Sequence, residues 1–340
     1  MENKEKLTKK DFVVDAPVKW CAGCGAYSIL SSIQNALPET GKKLEDIVFV
    51  SGIGCSSRFP YYMETYGFHG LHGRASALAS GMKAANPNLS IWQITGDGDS
   101  MAIGGNHFIH MIRRNLDLNV LIFNNKIYGL TKGQYSPTTP RGSVTKTSPH
   151  GTIENPFNPG ELAMGAQGTF FARLLDKEPK MMKNVFIEAE KHNGTSVMEI
   201  LQNCVIFAND VHESIAGKEV RADRTIYLEH GKPMIFGKEK EKGLIIRDGK
   251  LAVVKIGENG ISEDDILVHD SHNSDPSVHY MLSRMNYPDY PVALGIIRSV
   301  EEHATYDDML QQQVDHEKKN SEFKNVNELL RSGKTFKINE

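Results

Sequence analysis

Cysteine is scarce in this chain, with four in 340 residues. That is too few for the dense disulfide framework of a small secreted domain. No apolar run approaches the ~20 residues needed to span a bilayer as a helix. Charge of one sign is lacking too, since the formal net charge is -3, and nothing supplies the basic excess of a nucleic-acid-binding surface. The N-terminus, "MENKEKLTKKDF", is charged and has no apolar stretch behind it, which excludes a secretory signal. The expected setting is the cytoplasm, where disulfides are rare and clustered cysteines hold metal or do chemistry. No membrane or nucleic-acid partner is expected, and no internal repeat is present.

What remains is ordinary globular composition, 39% hydrophobic and 24% charged, in a chain long enough for one large or two modest domains. The first half alternates in character. Helix-like "GAYSILSSIQNAL" (25–37) precedes strand-like "DIVFVS" (46–51). "RASALASGMKAAN" (74–86) precedes "SIWQIT" (90–95), and "MAIGGNHFIHMIRRN" (101–115) precedes "NVLIFNN" (119–125). Continuous apolar runs between helices predict a parallel sheet covered on both faces. Residues 136–160 break the rhythm with Pro, Gly and Ser and read as a long loop, a length associated with function. "TFFARLL", "PKMMKNVFIEAEKHN" and "TSVMEIL" resume it. Beyond residue 206 the chain reads as a peripheral extension, with hairpins around "RDGK" and a polar helix within 299–320.

Three loops leave predicted strand ends: "SGIGCSSR" (51–58), "GDGDS" (96–100) and "NNKIYGLTKGQ" (124–134). In an open α/β sheet that edge is where ligands bind. Each loop taken singly is a weak signal. "GIGCSS" lacks the third glycine of a dinucleotide fingerprint, and "GDGDS" fails the calcium-loop pattern. Their chemistry is nonetheless consistent. Asp97 offers a hard carboxylate oxygen between glycines that admit a phosphate closely. Asn125 offers a side-chain carbonyl and Ile127 a backbone one. Oxygen ligands completed by phosphate and water describe a magnesium diphosphate site. The plainer alternatives are a helix cap for Asp97 and an Asx-turn for Asn125. "HGLHGR" (69–74) opens a helix whose N-terminus favours anions, which makes His72 a candidate contact.

"KWCAGCGAYS" (19–28) spaces Cys21 and Cys24 three apart at the mouth of a helix. From spacing alone a zinc site, an iron–sulfur cluster and unliganded core thiols all stay open. A thioredoxin-like redox pair fits less well, because the motif does not follow a strand of a βαβ unit.

"GDGDS" with "NN" after an apolar strand is similar to the thiamine-diphosphate motif. With "WCAGCG", "GIGCSS", "HGLHGRA", "RRN" and "NNKIYGLTKGQ", in order from Trp20 to Cys204, it resembles the β subunit of two-subunit 2-oxoacid:ferredoxin oxidoreductases. The last third is loosely covered. The resemblance implies an α/β thiamine-diphosphate-binding fold, a doubly wound, mostly parallel sheet with a C-terminal extension. Residues 1–205 would bind thiamine diphosphate and a [4Fe-4S] cluster. Residues 206–340 would pack on the same domain or on a partner. It further implies that Cys21, Cys24, Cys55 and Cys204 hold the cluster. Ile53, Gly54, Cys55, Ser56, Gly70, Leu71, His72, Gly73, Gly98, Asp99, Gly129 and Leu130 would line the thiamine diphosphate, with Mg2+ on Asp97, Asn125 and Ile127.

The implied activity is oxidative decarboxylation of a 2-oxoacid, with electrons passed to ferredoxin and the acyl group to coenzyme A. The activating glutamate is expected from an α subunit, and no candidate for it is found in this chain. "YGLTKGQ" looks like the form of the loop in 2-oxoglutarate-using members. Arg58 and Lys132 are the candidate cations for a distal carboxylate; the plainer reading leaves them neutralising diphosphate or in solvent. The alternatives are the same chemistry on pyruvate or branched-chain 2-oxoacids, a non-redox thiamine-diphosphate decarboxylase subunit, or a non-catalytic metal-binding module that scaffolds a partner.

Overall fold

A computed structural model describes residues 7–301, 304–336 and 338. The first half of the charged N-terminal stretch therefore lies outside the described residues, as do two positions ahead of the polar C-terminal helix.

The strands of the main sheet in chain order are β1 (Ile47–Ser51), β2 (Tyr66–His69), β3 (Ser90–Gly96), β4 (Leu118–Asn124), β5 (Phe170–Leu175), β6 (Thr195–Leu201) and β7 (Thr225–Leu228). β8 (Ile235–Phe236), β9 (Lys242–Arg247) and β10 (Lys250–Lys255) form a separate antiparallel sheet, and β11 (Val292–Ser299) returns to the main one. The eight-stranded order is β2-β1-β3-β4-β6-β5-β11-β7. β2 through β5 run parallel, while β11 pairs antiparallel to β5 and parallel to β7.

Every residue of β1, β4, β5 and β6 is buried, as a sheet covered on both faces requires. Alternate side chains serve two cores. Val48, Val50, Val120 and Ile122 face one; Phe49, Leu121 and Phe123 face the other. Helices α1 (Ala26–Thr40), α2 (Ala75–Ala85), α3 (Asp97–Met101), α4 (Gly105–Arg113), α5 (Pro159–Gly165) and α6 (Pro179–Lys191) supply the covers. α1 and α6 carry Ile29, Ile33, Val185 and Phe186 into the second core, and α4 carries Phe108, Met111 and Ile112 into the first.

Four readings of the sequence are revised. The helix expected over 101–115 is broken at Ala102–Gly104, because the chain there passes against the loop after β2. A Cβ on Gly104 would stand 2.4 Å from the Asp99 carbonyl oxygen and 3.0 Å from the Gly73 Cα. Strand β2 had no signature, since all four of its residues are exposed at the sheet edge. A one-sided apolar pattern exists only where one side is buried. The 136–160 loop closes at its end into α5, with Asn158 capping Gly160 N and Glu161 N. Finally, the segment beyond residue 206 is not peripheral, since β7 and β11 complete the main sheet. The β9–β10 hairpin does turn at "RDGK", where Asp248 and Gly249 take φ of 52° and 73°. Two consecutive positive φ values are the mark of the twist-matched two-residue hairpin turn.

No helix among the described residues is long and apolar enough to cross a membrane.

Candidate active site

β1 and β3 are neighbours, but the chain leaves β1 for β2 on one side and returns to β3 on the other. The loops after them diverge at this switch point and leave a crevice. A cavity of about 310 Å³ opens there. Its walls include Ile53, Gly54, Cys55 and Ser56 after β1, His72 after β2, and Asp97, Gly98 and Asp99 after β3. Asn125, Ile127, Tyr128, Gly129 and Leu130 after β4 complete the lining. Four separate sequence motifs thus meet at one sheet edge.

Asp99 holds the loops together. Its Oδ1 accepts from Ile53 N at 3.1 Å and Gly73 N at 2.7 Å, and lies 2.8 Å from His72 Nδ1. Its Oδ2 accepts from Thr95 Oγ1 at 2.9 Å. The group is buried, so each contact is a charge-assisted hydrogen bond in a low-dielectric setting. Gly52 must be glycine for this, since a Cβ there would sit 2.0 Å from Asp99 Oδ2. Expected to line the cofactor, Asp99 also pins the β1, β2 and β3 loops to one another.

Asp97 is the first residue of α3, and burial pushes its carboxyl up to about 6 against the opposing pull of the Ser136 and Thr138 hydroxyls. Both hydroxyls stand 2.5 Å from its Oδ2. Asn125 makes the Asx-turn that was its plainer reading, with Oδ1 accepting from Ile127 N at 3.2 Å. Between them Lys126 takes φ of 55°, which folds the loop back so that Asn125 and Ile127 both reach the cavity. Tyr128 donates to the Gly98 carbonyl at 2.9 Å, and burial near Asp97 and Asp99 pushes its phenol up to about 12. Carboxylate, amide carbonyl and backbone carbonyl are the donor set a magnesium diphosphate takes. The apolar Ile53, Phe123, Ile127 and Leu130 suit an aromatic cofactor body.

Of the remaining expected contacts, Gly70 and Gly73 stand behind the wall. Gly70 N donates to the Ser51 carbonyl at 2.8 Å, and Gly73, at φ 71°, leaves no room for a Cβ beside Gly104. Leu71 is 74% exposed and is not among the residues lining the cavity. Arg58 is exposed and donates to the Lys19 carbonyl at 2.9 Å. Lys132 lines an adjoining cavity of about 390 Å³, together with Lys126 and Lys146.

The four cysteines are free thiols that converge behind the same loop. Burial pushes Cys55 up to about 11, and the charges of Cys204, Cys24 and Cys21 push the same way. Cys24 is raised by burial and by Cys204 and Cys21. Cys55 and Cys204 Sγ each come within 3.6 Å of where a Cβ on Gly129 would stand. Two features dock the N-terminal motif here. Asp176 Oδ2 accepts from Asn203 N at 2.8 Å and would collide with any Cβ on Gly25. Gln202 Nε2 lies 3.2 Å from Cys24 Sγ. Among the described residues no three His, Cys, Asp or Glu side chains close on a point where a single ion could sit. Four cysteine thiols are the ligand set that a [4Fe-4S] cluster takes.

Sequence reading missed the groups beneath the site: Thr95, Ser136, Thr138, and a buried chain in which Asn124 Nδ2 donates to Glu199 Oε1 at 2.7 Å and Arg173 Nε to Glu199 Oε2 at 2.7 Å. A signal existed, because Asn124, Arg173 and Glu199 are polar residues inside otherwise apolar strand runs, where buried charge is retained only when paired.

The fold and this cavity define a thiamine-diphosphate enzyme subunit. A family model described as the C-terminal TPP-binding domain of thiamine pyrophosphate enzymes matches residues 52–200. The 2-oxoglutarate oxidoreductase subunit KorB of Mycobacterium tuberculosis is 49% identical over 306 residues, covering 90% of this chain and 81% of that protein. The 2-oxoglutarate synthase subunit KorB of Archaeoglobus fulgidus is 45% identical over 188 residues, covering 55% of this chain and 70% of that protein. A solved structure of the 2-oxoglutarate:ferredoxin oxidoreductase from Magnetococcus marinus, with 2-oxoglutarate, coenzyme A and succinyl-CoA bound, superposes with a TM-score of 0.77. It is 28% identical, and the match covers 98% of each chain. The chain belongs to the β subunits of the 2-oxoacid:ferredoxin oxidoreductases.

Proposed function

We propose that this chain is the thiamine-diphosphate- and cluster-bearing β subunit of a 2-oxoglutarate:ferredoxin oxidoreductase, working with an α subunit. The reaction converts 2-oxoglutarate and coenzyme A to succinyl-CoA and CO2, and passes two electrons singly to ferredoxin. The observation that carries it is that one loop serves two sites: Ile53, Gly54 and Ser56 wall the cofactor cavity, while Cys55 between them faces Cys24 and Cys204.

Thiamine diphosphate, when bound, supplies the electron sink for decarboxylation. The chain's own residues do the rest. Asp97, Asn125 and the Ile127 carbonyl hold Mg2+ on the diphosphate. Cys21, Cys24, Cys55 and Cys204 hold the [4Fe-4S] cluster, giving up their protons as they ligate. Tyr128 and Leu130 line the wall against which the cofactor would rest. Residues 1–205 carry both sites, and 206–340 complete the sheet behind them. Reduced thiols fit a cytoplasmic setting.

The carboxylates lining the cavity are Asp97 and Asp99, both engaged as described, so the activating carboxylate comes from the α subunit. Lys132 has no ion-pair partner among the described residues, whereas Arg58 is held by the Lys19 carbonyl. Lys132 is thus the better of the two cations for the distal carboxylate of 2-oxoglutarate. An anaerobic assay of the co-expressed pair against a panel of 2-oxoacids tests the reading. The pair should reduce ferredoxin fastest with 2-oxoglutarate, and only with coenzyme A present; the single chain should be silent. Faster turnover of pyruvate or a branched-chain 2-oxoacid would move the substrate assignment, and CO2 release without ferredoxin reduction would point to a non-redox decarboxylase.

A further inference from the structure

Two hydroxyls grip one oxygen of the carboxylate assigned to the metal. Ser136 Oγ and Thr138 Oγ1 both stand 2.5 Å from Asp97 Oδ2. They come from the long loop after β4, and each is itself held. Ser136 is anchored through its backbone N, which donates to Thr139 Oγ1 at 2.7 Å, and Thr139 in turn donates to the Lys126 carbonyl at 2.6 Å. Thr138 Oγ1 also lies 2.9 Å from Asn124 Oδ1, a second acceptor, so its single proton is shared between Asp97 Oδ2 and Asn124 Oδ1. That oxygen is aimed at Thr138 because the other end of the amide donates to Glu199. Glu199 is fixed in turn by Arg173, whose Nη2 reaches the Ser283 carbonyl at 3.0 Å and Asn158 Oδ1 at 3.2 Å. All of these side chains are buried except that of Asn158, so the clamp has no freedom to swing away.

We infer that Ser136 and Thr138 determine which divalent cation the diphosphate site takes, by reserving Asp97 Oδ2 and leaving one carboxylate oxygen for the metal. Mg2+ accepts near-ideal octahedral geometry, keeps waters and is content with a single oxygen from a carboxylate. Ca2+ takes six to eight oxygens at longer distances and gains from bidentate carboxylates. A carboxylate whose second oxygen carries the Ser136 hydrogen bond and a share of Thr138's can satisfy the first ion and underserves the second. This inference rests on the proposed reading that Asp97 ligates the metal.

The test uses the co-expressed complex stripped of cofactor and measures thiamine-diphosphate binding by calorimetry in MgCl2 and, separately, in CaCl2. Wild type should bind more tightly with Mg2+ than with Ca2+. In Ser136→Ala/Thr138→Val, and to a lesser degree in Thr138→Val alone, the ratio of the two affinities should narrow by about tenfold, the scale of one lost charge-assisted hydrogen bond. An unchanged ratio in a double variant that melts as cooperatively as wild type would overturn the inference. If the double variant does not fold, the single Thr138→Val ratio decides in the same way. Asp97→Asn separates the two claims. Metal-dependent cofactor binding that survives it undiminished refutes Asp97 as a ligand, whereas loss of binding there with an unchanged ratio in the hydroxyl variants refutes the clamp alone.

Discussion

The cofactor cavity and the cysteine site share the loop 53–56 yet are built on opposite principles. Around the cavity the charged groups are already satisfied. Asp99 has four partners, and Asp97 is gripped by two hydroxyls. Around the cysteines compensation falls short. Cys24 and Cys55 are raised first by burial and then by neighbouring cysteines, against the Ala26 amide and Gln202 at Cys24 and Arg58 at Cys55. The first site is preorganised by its own hydrogen bonds. The second is a set of thiols that a bound cluster would tie together. Loss of cofactor should therefore leave the cavity standing, while loss of the cluster should loosen the segment 19–25.

The largest break in this contrast comes from the cysteines. Cys204→Ser should lose most of the iron and the brown visible absorbance while thiamine diphosphate is still retained. Asp97→Ala should do the reverse, emptying the cofactor site with iron content kept. Metal analysis and cofactor extraction on both variants check the pair. A variant that loses both groups would show that the two sites do not stand independently.

A smaller but broader effect should follow at Asp99. Asp99→Ala leaves Thr95 Oγ1 and the amides of Ile53 and Gly73 without their acceptor, at a cost of ~3 kcal/mol or more. Denaturant unfolding should register the loss, with Asp99→Asn intermediate because the amide keeps one acceptor oxygen. Since the loops of β1 and β2 both hang on this residue, its loss should weaken cofactor and cluster together.

The smallest expected effect lies away from both sites. Burial holds the His192 imidazole down at about 4, with its Nε2 2.9 Å from Thr169 Oγ1. A base whose folded pKa is depressed contributes stability that is whole above its ordinary value of 6.5 and is lost as pH falls toward 4. The slope reaches at most ~1.4 kcal/mol per pH unit. His192→Asn should lessen the pH dependence of unfolding across that window, the share of His212 remaining, with cofactor and iron content unchanged.

The same contrast explains what was legible in the sequence. The strands at the site were readable because "IVFVS", "SIWQIT" and "NVLIFNN" are long apolar runs ended by glycine or asparagine, and doubly covered parallel strands write such runs. β2 was not readable, because an exposed edge strand has no burial pattern to write. The break between α3 and α4 depends on Gly73 and Gly104 meeting across the fold, a contact that no local window contains. β11 was hidden for a similar reason, since its pairing with β5 joins segments more than a hundred residues apart. At the site, Asp97, Asn125 and the cysteines were found through their motifs. Ser136 and Thr138 were passed over because hydroxyls in a Pro- and Gly-rich loop look like turn chemistry until the carboxylate they reach is seen.

The shared loop is the centre of the proposed function, since it would place the reacting cofactor beside the electron acceptor. The direct test is a single turnover of the anaerobic co-expressed complex with 2-oxoglutarate and coenzyme A and no ferredoxin, followed by electron paramagnetic resonance. The account predicts that substrate reduces the cluster, bleaching the visible absorbance and raising a reduced-cluster signal that Cys204→Ser lacks. Consumption of 2-oxoglutarate with the cluster left oxidised would contradict it.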